Sequence, residues 1–99
     1  MTIWKFELEK EDIQSIQMPV GAEILCLQMQ GGKPCIWALV NPQADNETRG
    51  FMTYGTGHVV PTEPYNHIYI GTYQLFSGDL VFHVFEFKVP PTPNQKTIN

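Results

Sequence analysis

Positive charge is scarce in this chain. Six lysines and arginines stand against ten acidic residues among 99, a formal net charge of −4. Sequence-independent capture of nucleic acid needs a basic face, so general nucleic-acid binding is not expected. A single small anion remains compatible, because one or two cations and a few backbone N–H groups hold it. Charge of either sign is also low, at 16% of residues, while aromatics make up 12%. Apolar surface left over on so weakly charged a domain is expected to be covered by a second chain, which points to a homo-oligomer.

Cysteine is equally sparse. Cys26 and Cys35 are too few for a disulfide framework. No apolar run approaches the length that crosses a bilayer. The segment after Met1 is charged and alternating, unlike the apolar stretch of a secretory signal. The expected location is the cytosol, with both thiols reduced and no membrane partner. Helical periodicity is missing too: nothing in the chain reads as a helix longer than a turn or two.

What is present is alternation. Residues 3–8, IWKFEL, place Trp4, Phe6 and Leu8 on one face of a half-buried strand. Ile16 and Met18 mark a short second strand that stops at Pro19. Residues 22–30, AEILCLQMQ, form the next, with Leu25, Leu27 and Met29 on a common face. Gly31-Gly32 is a two-residue hairpin turn, which pairs Gln28 with Cys35 and Cys26 with Trp37 on the return strand 35–40. The cysteines are then diagonal neighbours, too far apart for a disulfide. Asn41–Gly50, NPQADNETRG, reads as a surface loop. Residues 51–54 form a short strand, and Gly55–Asn66 a second long loop. Residues 67–76 and 80–88 are the last two strands, separated by Ser77-Gly-Asp79.

The final strand, LVFHVFEFK, carries Leu80, Phe82 and Val84 on one face and Val81, Phe85 and Phe87 on the other, so it is expected to be central and covered on both sides. Glu86 interrupts it and is expected to pair with a Lys or Tyr of a neighbouring strand, or to face a pocket. The fold class is all-β: about seven short antiparallel strands in a small sandwich or partly open barrel. Its core is expected to include Trp4, Phe6, Leu25, Leu27 and Ile70. Residues 1–88 make one domain, and residues 89–99, VPPTPNQKTIN, a flexible tail or extended arm.

Candidate chemistry centres on Tyr54-Gly55-Thr56-Gly57-His58. Consecutive N–H groups on a glycine turn can converge on an anion, with a hydroxyl from Thr56, a donor from His58, a fixed charge from Arg49 and a ring from Tyr54. The plainer reading is a strand end with a glycine turn. Neither phosphate-binding fingerprint is met: Val60 stands where a third glycine belongs, no lysine follows, and Pro61 excludes the helix. His58, His67 and His83 form no close zinc-type pair, so no metal is expected. No nucleophile–base set is legible, and no cofactor is implied.

Three blocks resemble a known family together: MPVGAEILCLQMQGGKPCIWALVNP (Met18–Pro42), FMTYGTGH (Phe51–His58) and YIGTYQLFSGDLVFHVFE (Tyr69–Glu86). They resemble small proteins of tailed phages and prophages, over about residues 2–86. The resemblance implies phage origin and residence in the cytosol of an infected bacterium, where such proteins often serve host takeover or anti-defence. It transfers no catalytic residue. The glycine turn, the aromatic loops and the lack of a catalytic set give the expectation of a non-enzymatic binding protein, a sponge for a small anionic or nucleotide-type ligand held by Arg49, Tyr54, Gly55, Thr56, Gly57 and His58. The alternative is an interaction protein that blocks a host protein through an apolar sheet face. A small hydrolase or a virion component ranks below both.

Overall fold

The structure, a computed structural model, describes residues 1–61 and 66–88. Within them the chain is all-β. Seven strands run in order: β1 (Thr2–Glu7), β2 (Ile13–Pro19), β3 (Glu23–Gln30), β4 (Lys33–Val40), β5 (Asn46–Gly55), β6 (Asn66–Leu75) and β7 (Leu80–Lys88). They form two antiparallel sheets, β1-β4-β3 and β2-β5-β7-β6, so the architecture is a sandwich and not a closed barrel. β7 lies between β5 and β6, the central position its two apolar faces predict.

The core follows from register. Residues directly opposite in a ladder share a face. Ile36, Ala38 and Val40 of β4 point inward, and Phe6, Ile24, Leu27 and Met29 join them. From the other sheet come Ile16, Met18, Phe51, Tyr73, Phe82 and Val84. The sheets press closest where β6 crosses β3. A Cβ built on Gly71 would stand 3.0 Å from Leu27 Cβ, so glycine sets that approach. At the Gly31-Gly32 turn both φ angles are positive, +59° and +80°, as a tight hairpin requires. The pairs Gln28–Cys35 and Cys26–Trp37 form as the turn dictates, and both cysteines are free thiols.

Four expectations are corrected. Leu25 is 45% exposed, because the β3–β4 register shifts between Ile24 and Cys26. One extra residue reverses alternation, so Ile24 faces inward and Leu25 does not. Trp4 shares the inner face with its partner Ala38, but β1 is an edge strand and Trp4 stays 40% exposed. Phe6 and Ile70 are only partly buried, packed against the core. The loop assigned to Asn41–Gly50 ends early: Asn46–Gly50 belong to β5 and pair with β2. Arg49 and Glu47 turn inward there while Thr48 bonds Gln17 on the outer face, so hydropathy reads the whole run as solvent-exposed. The end of the second long loop, at residues 62–65, and the tail read at 89–99 lie outside the described residues. No helix among the described residues is long and apolar enough to cross a membrane.

Candidate functional site

At the end of β5 the chain makes a turn that uses its own N–H groups. Gly55 N donates to His58 Nδ1 at 3.2 Å, Thr56 N to Val81 O at 3.2 Å, and His58 N to Gly55 O at 3.1 Å. Gly57 takes φ +90°, a conformation that favours glycine. Gly55 has ordinary φ; a Cβ there would stand 2.9 Å from the His58 ring, the far end of a side chain that can swing. This is a self-capped turn. The N–H groups of Gly55, Thr56 and His58 are directed at the protein's own acceptors, so the turn does not form an anion cradle.

Arg49 lies on the other side of the sheet. Along β5, residues 49, 51 and 53 point inward, whereas 50, 52 and 54 point outward. Inside, Arg49 Nε and Nη2 both donate to the Glu86 carboxylate, the latter at 3.0 Å, and Nη1 donates to Ala22 O at 2.8 Å. Glu47 lies 3.8 Å away and also accepts from Gly21 N. The hydrogen bond to Glu86 raises the Arg49 pKa above its already high ordinary value, against the lowering effect of burial. The guanidinium is therefore a fixed cation that clamps two strands and the start of β3. Glu86 is paired as expected, but with arginine and not with Lys or Tyr. Arg49 and the Thr56–His58 turn do not converge.

The outer face of β2-β5-β7-β6 gathers residues that the sequence reading scattered. Register places Ile13, Ser15 and Gln17 of β2 beside Met52, Gly50 and Thr48 of β5. Met52 and Tyr54 stand beside Phe85 and His83 of β7, which stand beside Tyr69 and Thr72 of β6. Phe85 is the hub: its ring meets Tyr54, His67 and Tyr69 edge-on at 5.8, 5.9 and 5.5 Å between centroids. Gly50 gives up its side chain to Phe87, whose ring lies over it; a Cβ there would stand 2.6 Å from that ring. Beside the aromatics runs a polar chain. His83 Nε2 meets Thr56 Oγ at 2.7 Å, His83 Nδ1 meets Thr72 Oγ at 2.9 Å, and Tyr69 Oη hydrogen-bonds Thr72. Tyr54 Oη meets His67 Nε2 at 3.2 Å.

Among the described side chains this face carries no Asp, Glu, Lys or Arg in any of its four strands. The opposite outer face, on β1-β4-β3, is charged: Lys33 pairs with Glu7 at 3.7 Å, and Lys5 donates to Gln30 at 2.7 Å. Of the sequence candidates, Tyr54 and Thr56 belong to the charge-free face, Gly55, Gly57 and His58 to the turn at its end, and Arg49 to the interior. Met52, Tyr69, Thr72, His83, Phe85 and Phe87 stood outside the candidate site, although alternation in the last strand already put Phe85 and Phe87 on one face. Their signal was the odd-numbered alternation His83, Phe85, Phe87. No group of three or more His, Cys, Asp or Glu side chains among the described residues is placed to hold a metal ion.

The chain belongs to the family described as Domain of unknown function (DUF7352), whose model matches residues 1–95. No curated protein and no solved structure matches it.

Proposed function

We propose that this member of the DUF7352 family is a non-enzymatic interaction protein that binds a protein partner through the outer face of β2-β5-β7-β6. The observation behind this reading is the contrast between the two outer faces. One mixes Lys5, Glu7 and Lys33 with Ile3, Trp37 and Leu39, and the other presents Ile13, Met52, Tyr54, Tyr69, Phe85 and Phe87 with no charged side chain. Interface cores are depleted of charge and enriched in aromatics and methionine in this way. The hydroxyl and imidazole groups of Thr56, Thr72 and His83 supply directional contacts at its side. The resemblance to phage proteins adds a setting: a phage-encoded protein in the bacterial cytosol whose partner is a host protein. Sequestration of a small anion is the weaker reading, because Arg49 is occupied and the glycine turn is self-capped.

The test is capture of a discrete protein from bacterial lysate by immobilised wild type, compared with two variants. Ile13→Lys is mild, since Ile13 is 59% exposed at the β2 edge. Phe85→Lys strikes the hub. Both are expected to abolish capture, while Gln28→Lys on the charged sheet leaves it intact. Capture unchanged by a folded Ile13→Lys and Phe85→Lys would end this reading. A thermal shift against a panel of nucleotides tests the other: a ligand at a hundredfold excess over its Kd adds about 2.7 kcal/mol.

A further inference from the structure

β6 is an edge strand ten residues long, NHIYIGTYQL, and contains no Asp, Glu, Lys, Arg or Pro. Edges of that kind are templates for another strand, and proteins usually guard them with charge, proline or bulges. The other edges here are guarded: β1 by Lys5 and Glu7, β2 by Pro19, and β3 by Glu23 and its bulge. β6 has a register shift of the same kind between Tyr69 and Gly71 but neither charge nor proline, and its ladder resumes through Leu75.

A second, independent observation lies at the strand's end. Phe76 adopts φ +53° and is 68% exposed. The left-handed region is unfavourable for a bulky side chain, and asparagine or glycine would occupy it at less cost. Within the protomer Phe76 therefore carries backbone strain, shared with Ser77 at φ +54°, together with exposed apolar surface. At the other end of the strand, Ile68 and Tyr69 are exposed as well.

We infer that β6 is the pairing edge for a second copy of this chain, antiparallel about a two-fold axis near Thr72. Antiparallel pairing sets each end of a strand beside the opposite end of its copy. Leu75 and Phe76 then lie along Ile68 and Tyr69 of the partner subunit, and the exposed apolar ends cover one another in an isologous contact. Each copy carries −4, so a contact free of charged side chains is the one that two like-charged chains can close. The two four-stranded sheets become one eight-stranded sheet, and the charge-free outer faces become continuous and remain open.

Light scattering at micromolar concentration is expected to give twice the 11.3 kDa chain mass. Amides of β6 are expected to gain protection from hydrogen exchange as concentration rises. Phe76→Asn keeps the turn, because asparagine accepts positive φ, and should weaken the dimer by about tenfold or more, as truncating an aromatic anchor does. Ile13→Lys should leave the dimer intact, which separates this inference from the partner-binding face. A monomer with unprotected β6 amides would overturn it. So would a monomer with protected β6 amides, which would put a segment of the chain itself on the edge. A dimer whose Kd ignores Phe76→Asn but collapses in Ile13→Lys would overturn it as well, and would place the contact on the outer face.

Discussion

Arg49 shows how one side chain changes meaning between sequence and structure. In sequence it is a cation before a glycine turn, within a run that looks like loop. In the sandwich it is the donor half of a two-bond pair with Glu86, mostly buried, with a third bond to Ala22 O. Removing one partner of such a pair leaves the other charge buried and uncompensated, which typically costs 3–5 kcal/mol. Arg49→Ala should therefore lower the midpoint of chemical denaturation sharply, and Glu86→Ala should do the same. The double change Arg49→Leu with Glu86→Leu should cost much less than the sum of the two, because no orphaned charge remains. Equal and additive losses would show that the pair is not coupled. Glu86 was legible as a residue needing a partner, since it broke an apolar strand. Its partner was not, because pairing across β5 and β7 depends on register that nothing local in Asn41–Gly50 encodes.

Strands and turns were more legible than faces. Gly31-Gly32 fixed its hairpin from two residues, since a two-residue loop with positive φ leaves one register. The face of β3 was misread from a single residue, because its bulge at Leu25 has no Gly or Pro signature. Gly71 is the converse case: it looks like a weak point in a strand, yet it is where β6 meets β3. Gly71→Ala is expected to destabilise by about 1–3 kcal/mol, the usual range for forcing a methyl into a packed site. Gly57→Ala is strained for a different reason, its φ of +90°, with open space around it. Stability measured on both variants, with Gly57→Asn as a control that tolerates positive φ, separates the two causes. Rescue at 57 by asparagine, with none at 71, is the expected outcome.

At the scale of the whole molecule the two outer faces predict how association responds to salt. Screening weakens contacts between exposed charges, with a Debye length of about 10 Å at 0.1 M falling to about 3 Å at 1 M. It has little hold on a face whose described side chains include no Asp, Glu, Lys or Arg. Excluded salts such as sulfate strengthen apolar burial instead. Partner capture through β2-β5-β7-β6 should therefore persist as sodium chloride rises from about 0.1 M to about 1 M, and should tighten in ammonium sulfate. Capture lost over that range would move the contact to the charged face of Lys5, Glu7 and Lys33, where a Lys5→Glu variant should then abolish it. The low overall charge fraction points toward the same proposal, because it leaves apolar surface to be covered. It could not say which surface, since the outer face exists only once β2, β5, β7 and β6 lie side by side.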